Sequence, residues 1–258
     1  MPTNHRPWET ATSPEGRWAG YLDPSTGLLR TLSAEPLQTQ AELRAFEDDH
    51  VEAQLIEARV RPITGSYGID HLQAIHLRLF QDVYPWAGEI RTVNISKGIP
   101  PPPEPFLSPE YAAFAVNRAA QRMHEDGMLR PGMDHERFVD LLARRFSEIN
   151  EAHPLREGNG RTQRHYFELV ARDAGRRIDW SQLTSAQNVT ISAEAREGHL
   201  APLRDALRTI VTVAPAGAGR PTGEGAPRIP QARPATARTA DPLGRSSVRP
   251  GHGGGRGS

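Results

Sequence analysis

Apolar residues recur every three to four positions through much of residues 38–211, and the runs are bounded by helix start and stop signals. Gln38–Val60 contains neither Pro nor Gly and ends before Pro62. Asp70 is placed to cap a helix carrying Leu72, Ile75, Leu79 and Val83. Ser108, Pro109 and Glu110 read as N-cap, N1 and N2 of a helix running to about Asp126. Asp134 opens another, with Phe138, Leu141, Leu142, Phe146 and Ile149 on one face. A further helix runs from about Gly160 to Ala174 and stops at Gly175. A last one covers roughly Ala186–Val211, interrupted at Gly198 or Pro202. Glu89–Ile99 breaks this rhythm: Ile90, Val93, Ile95 and Ile99 stand among polar residues, and Pro100–Pro103 forbid a helix. It reads as a short exposed β-hairpin, a flap over about 89–106. Residues 1–37, with five Pro, read as an irregular segment packing on the domain. The pattern therefore predicts an all-α domain over 38–212 with one small β-hairpin.

Composition changes the picture at the C-terminus. Residues 213–258 hold ten Gly, seven Pro and seven Arg with no aromatic residue. Such a segment cannot bury enough apolar area to offset its chain entropy, so it reads as a disordered tail. Its seven Arg against Glu224 and Asp241 give it +5, which leaves −5 on residues 1–212 of a chain whose formal charge is zero. The tail is either an inert extension or a basic sorting segment. The balanced charge gives no reason to expect a nucleic-acid partner. The chain has no Cys, which excludes disulfides, thiolate metal sites and a cysteine nucleophile. Residues 1–18 lack the apolar run of a signal peptide, and nothing approaches a membrane span. A cytoplasmic protein is expected, with no membrane partner. The single lysine, Lys97, stands beside thirty Arg.

The chemistry concentrates in His153–Arg164, between two amphipathic helices. Gly158 and Gly160 flank Asn159, so backbone can approach a ligand closely there. The next helix begins at this point, and its free N–H groups and positive dipole end suit phosphate. Arg161 and Arg164, three apart, share a face and can both reach a polyphosphate. Glu157 is a hard oxygen ligand suited to Mg²⁺ bridging phosphates, and His153 can accept a proton near neutral pH. The plainer readings are a capping histidine, a simple Gly-Asn-Gly turn and an Arg164–Glu168 pair. A metal site through His153, Glu157 and His165 is a further alternative.

This segment resembles the signature of Fic domains (filamentation induced by cyclic AMP), His-x-Phe-x-Asp/Glu-Gly-Asn-Gly-Arg-x-x-Arg. The match is at His153, Glu157, Gly158, Asn159, Gly160, Arg161 and Arg164, with Leu155 in place of Phe. Ile75-His76 and Leu79–Arg91 look like the helix and turn before the family's flap, and Val93–Gly98 like the flap itself. The resemblance implies transfer of AMP from ATP, with Mg²⁺, to a Ser, Thr or Tyr hydroxyl of a target protein. It implies His153 as base and Glu157 as metal ligand. Gly158, Asn159, Gly160, Arg161 and Arg164 become phosphate binders, and Thr92, Val93, Asn94, Ile95, Ser96 and Lys97 pair with target backbone. Trp180 is assigned to the adenine side and Leu155 to the core. The kinase branch of the family carries Lys at the position of Gly160, so Gly160 favours nucleotidyl transfer. Other transfers (phosphorylation, uridylylation, phosphocholination) and a non-catalytic nucleotide-binding module are the alternatives. The family's inhibitory Ser/Thr-x-x-x-Glu-Gly/Asn motif is missing: Ala11, His153, Ala193 and Arg220 stand four before Glu15, Glu157, Glu197 and Glu224. A small antitoxin supplying a Glu against Arg164 is therefore expected. The resemblance also suggests a toxin or an effector, exported by a type IV-like route if its Arg-rich tail is a signal.

Overall fold

The computed structural model describes residues 6–97 and 104–214. Two short helices open it, α1 (Pro7–Thr10) and α2 (Pro14–Gly20). The main helices follow: α3 (Gln40–Val60), α4 (Ile69–Phe80), α5 (Pro109–Glu125), α6 (His135–Ala152) and α7 (Asn159–Asp173). Strand β1 (Arg176–Ile178) and a 3₁₀ turn (Trp180–Gln182) lead to α8 (Ser185–Arg196), α9 (Leu200–Ile210) and β2 (Val211–Val213). Central α6 packs against α5, α7, α8 and α9, while α4 bridges α3 and α7. No described helix is long and apolar enough to cross a membrane.

Local chemistry sets the helix boundaries. Thr39 and Glu42 form a reciprocal capping box at the start of α3. Asp134 accepts from the Arg137 N–H at the start of α6. Asp70 does not cap α4; Gly68 does, and Asp70 sits in the first turn, favourable to the helix dipole. The last sequence helix is broken at Gly198, whose φ is +92°, and not at Pro202, which falls in the first turn of α9, where its missing N–H has no intrahelical acceptor to lose.

Three expectations need correction. Residues 1–37 are not irregular throughout. Ser13 caps α2 with Pro14 at N1, and Trp8 and Tyr21 are buried in the core, each packed on Trp86. The small sheet is β1 with β2, antiparallel, Arg176 opposite Val213 and Ile178 opposite Val211. Val213 thus belongs to the folded domain, and Ala214 N–H continues to Gly175 O at 3.0 Å; the rest of the expected tail lies outside the described residues. The flap forms no ladder among the described residues. It is an extended segment closed by one bridge, Ser96 to Pro105, with Phe106 N–H on Ile95 O at 3.0 Å. It is also not fully exposed: Val93 and Ile95 point inward, while Asn94, Ser96 and Lys97 face out. The proline run Pro100–Pro103 lies outside the described residues.

Candidate active site

Helix α6 ends because Pro154 follows His153, and a residue before proline is pushed out of the right-handed helical region. His153 becomes the C-cap in a left-handed conformation, φ 38°, with its N–H on Ile149 O at 3.1 Å. A non-glycine residue held there must be fixed by its surroundings. The fixing group is Arg91, a buried guanidinium with no carboxylate partner among the described residues. Its Nε donates to His153 O at 2.8 Å, one terminal nitrogen to Val93 O at 2.6 Å and the other to Leu107 O. Its own N–H donates to Pro154 O at 2.9 Å. Burial pulls its pKa down to about 10, still charged at neutral pH. One side chain thus joins the catalytic loop to both arms of the flap.

The His153 ring stacks on Phe106 with centroids 3.7 Å apart. Nδ1 lies 3.1 Å from Asn150 O, a contact that calls for a proton on Nδ1 and leaves Nε2 bare. Nε2 is buried with no hydrogen-bond partner among the described residues. Burial first, then Lys97, push the imidazole pKa down to about 3, so the ring is neutral at physiological pH and its Nε2 lone pair is unprotonated.

The turn into α7 is locked from within. Leu155 is buried, as the motif reading required. Its N–H donates to Asn159 Oδ1 at 3.0 Å, and Asn159 Nδ2 donates back to Leu155 O at 2.7 Å. The Asn159 side chain is therefore a staple within the loop rather than a group presented to phosphate. The donors left over at the turn are the N–H groups of its first residues, without intrahelical acceptors and with no capping side chain at Gly158. Burial raises the Glu157 pKa, but Lys97, the Gly158 N–H and Arg156 outweigh it and hold the carboxyl below its usual range. Lys97 Nζ and Gly158 N–H both meet Glu157 Oε1, at 3.3 and 3.2 Å. The flap's one lysine thus sits on the proposed metal ligand.

The two motif arginines differ. Arg161 is held by α3, 2.8 Å from Glu47 and 3.2 Å from Asp48, with its guanidinium over the Phe80 ring. Glu47 is itself buried and accepts from Tyr84 Oη at 2.6 Å. Arg164 has no carboxylate partner among the described residues; Glu168 is taken by Arg59 and His165. Burial, then the neighbouring Arg161 charge, lower the Arg164 pKa, the setting of a cation awaiting an anion. Trp180 sits at this end, its indole N–H on Arg164 O at 3.2 Å and its ring against Phe146.

Of the flap residues, Thr92 is spent inward. Its N–H meets Tyr21 Oη at 3.0 Å and its hydroxyl donates to Trp8 O at 2.5 Å. Sequence reasoning did not single out Arg91 or Glu47 for a role. The available signal for Glu47 was a carboxylate in register with the buried Leu43 and Val51 of α3.

Residues 66–171 match the Fic/DOC family. Protein adenylyltransferase VbhT of Bartonella schoenbuchensis is 34% identical over 185 residues, which cover 72% of this chain and 37% of VbhT. Probable protein adenylyltransferase Fic of Escherichia coli is 35% identical over 160 residues, 62% of this chain and 76% of that protein. The chain thus spans little more than a third of VbhT. Among solved structures, BepC protein of Bartonella tribocorum with bound AMPPNP superposes with a TM-score of 0.68 at 24% identity, over 76% of this chain and 97% of that one. With the motif loop, its caps and its helical frame all in place, this chain belongs to the Fic/DOC family.

Proposed function

We propose that this protein transfers the adenylyl group of ATP to a Ser, Thr or Tyr hydroxyl of a target protein. The observation that carries the reading is the buried Nε2 of His153, the open N-terminus of α7 and Arg164; among the described residues Nε2 has no hydrogen-bond partner and Arg164 no carboxylate. The names of VbhT and of the Escherichia coli relative support it. The amides at the start of α7 hold the phosphates, with Arg161 and Arg164 on the β- and γ-phosphates fixing which phosphorus faces the base. His153 Nε2 takes the target hydroxyl proton as that oxygen bonds to the α-phosphorus. The bond from the α-phosphorus to the bridging oxygen breaks, and pyrophosphate leaves with the electron pair. Glu157 fits a magnesium ion: it is ionised, and one oxygen already holds the Lys97 cation. No cluster of three or more His, Asp or Glu among the described residues could cage a metal, which suits an ion completed by phosphate oxygens and water. When bound, Mg²⁺ spreads the charge that builds on the phosphates. Exposed Asn94 and Ser96 offer the flap's remaining edge to the target. The same reading leaves Arg164 as the docking point for an antitoxin Glu. It makes the enzyme either a toxin or an effector exported by a type IV-like route.

The test supplies purified protein and bacterial lysate with Mg²⁺ and ATP labelled at the α- or γ-phosphate, with His153→Ala as control. Label on protein from α- but not γ-labelled ATP, lost in the variant, is expected. Label from γ alone would make it a kinase with reversed nucleotide and overturn the reading.

Stability against pH gives an independent check on the histidine. His76, fully buried with Nδ1 accepting from Gly88 N–H, is also pushed by burial to about 3. The unfolded chain protonates both rings near 6.5, whereas the fold resists until about 3. Stability is therefore lost as pH falls from about 6.5, each ring adding a slope of about 1.4 kcal/mol per pH unit. Denaturant titrations between pH 7 and 5 should show it, with the His153→Ala variant sloping less. Equal slopes would contradict a neutral buried His153.

A further inference from the structure

We infer that the cleft between α5, α6 and the α8–α9 junction is a docking surface for an acidic segment of the target protein, a reading that rests on the transfer activity proposed above. The cleft has a volume of about 690 Å³ and does not include the catalytic loop. Arg118 and Arg122 enter it from α5, Arg144 and Arg145 from α6, and Arg196 from the end of α8. Glu148 and Glu151 are the carboxylates that line it, while Asp140 holds Arg144 at 2.9 Å and Asp126 lies 3.8 Å from Arg145, so five cations face four carboxylates and the excess is one. Glu148 is already shared by Arg122 at 2.6 Å and Arg145 at 2.7 Å, and Glu151 is held by Arg196 at 2.6 Å. Among the described residues Arg118 meets only the Gln121 side-chain oxygen, at 2.9 Å. Its charge is free to meet an incoming carboxylate.

The α5 wall adds apolar area. Tyr111, Phe114, Arg118 and Arg122 are spaced to lie along one helix face, and Tyr111 and Phe114 are 58% and 67% exposed. Arg and aromatic side chains are the types enriched where partners bind. Ala115, Ala195 and Leu200 make the floor apolar. Acidic side chains with an apolar residue among them fit this lining. The chain's own C-terminal segment, at +5, is the wrong sign.

Arg196 places the cleft beside the chemistry. It donates to Glu104 O and Pro105 O, both at 2.8 Å, and lies over the Phe106 ring, which stacks on His153. A segment held here lies next to the returning arm of the flap, so the cleft and the flap together present a target hydroxyl to the base.

The test uses the full chain and a fluorescein-labelled Glu/Leu peptide, read by anisotropy at about 0.15 M salt, where long-range attraction is screened. Saturable binding is expected, weakened at least tenfold by Arg118→Glu and by Phe114→Ala and unmoved by Arg164→Ala. Absence of saturable binding, equal affinity in Arg118→Glu, or loss in Arg164→Ala would overturn the cleft as the site. Stronger binding of a single-stranded oligonucleotide through Arg118 would overturn the peptide chemistry. In the labelled lysate, Arg118→Glu is expected to cut transfer at least fivefold with ATP affinity unchanged; unchanged transfer would overturn the link to the target. A wild-type chain that transfers no label fails the proposed activity instead, while the peptide measurement still decides the cleft.

Discussion

Gly158→Ala should unfold the catalytic turn and abolish nucleotide binding. Gly158 has φ +77° at the N-cap of α7. A Cβ there would stand 2.3 Å from Phe80 Cζ and 2.6 Å from Cε2. Phe80 cannot yield easily: it is fully buried, 4.6 Å from His76 and 5.9 Å from Tyr84 by ring centroids, and it carries the Arg161 guanidinium on its face. The left-handed backbone costs about 1–2 kcal/mol for alanine, and forcing a methyl into the core about 1–3 kcal/mol more. At about 2–4 °C per kcal/mol, thermal unfolding should show a Tm lower by roughly 5–15 °C. On the proposed function, calorimetric titration with ATP should show affinity falling below detection, because the ring that moves supports Arg161, proposed above to hold phosphate. Gly160→Ala is the control: its φ is not positive, and a Cβ would meet only Arg164 Nη1 at 3.4 Å, the flexible end of a side chain. A Gly158→Ala protein with wild-type Tm would refute the rigidity of this turn.

Much of the frame was legible because periodicity and caps agree over long helices. The starts of α5 and α6 follow from the Ser108-Pro109 pair and Asp134, and α3 from the Pro- and Gly-free run before Pro62, its Thr39 cap being visible only in the structure. The same Ser-Pro-Glu signature stands at Ser13-Pro14-Glu15, yet proline density hid α2. Only tertiary contacts reveal that Trp8 and Tyr21 belong to the core and take up the edge of the flap at Thr92. The β1–β2 pair escaped because three-residue strands are too short for an alternation to register. Val211 extends the α9 pattern, and Val213 adjoins a Gly/Pro-rich run.

At the site, sequence order located the loop but not the assignment of its hydrogen bonds. Asn159 sits between two glycines, as a phosphate turn would have it, but its amide is spent on Leu155. Arg161 and Arg164 look equivalent on a helical wheel. They differ because α3, more than one hundred residues earlier, brings Glu47 and Asp48 to one and no carboxylate to the other. The flap's residue pattern holds in its alternation, Val93 and Ile95 turning inward as strand residues do; among the described residues Arg91 takes Val93 O, Phe106 N–H takes Ile95 O, and one bridge forms.

Arg91→Met should separate target transfer from nucleotide binding. The substitution keeps much of the apolar stem and removes the donors to His153 O, Val93 O and Leu107 O. Each buried carbonyl left without a partner costs roughly 1–3 kcal/mol. Part of this is returned because a buried charge no longer needs to be desolvated, so a net loss of about 3–5 kcal/mol is expected. Lysine cannot substitute fully: its ammonium is a point donor on a flexible stem and does not span three carbonyls as the planar fork does. Arg91→Lys should therefore fold with a smaller loss of Tm while the flap loosens, which hydrogen exchange at residues 92–97 and 104–107 will report as faster opening. The proposed phosphate cradle is the start of α7 with Arg161 and Arg164, none of which Arg91 touches, so ATP affinity should hold within about threefold, less than 1 kcal/mol. Transfer to protein should fall at least tenfold, because His153 loses the contact that holds its left-handed backbone and the flap loses its anchor at both ends. Wild-type exchange and transfer rates in Arg91→Lys would show that the His153 turn is fixed by Pro154 and the α6 cap alone.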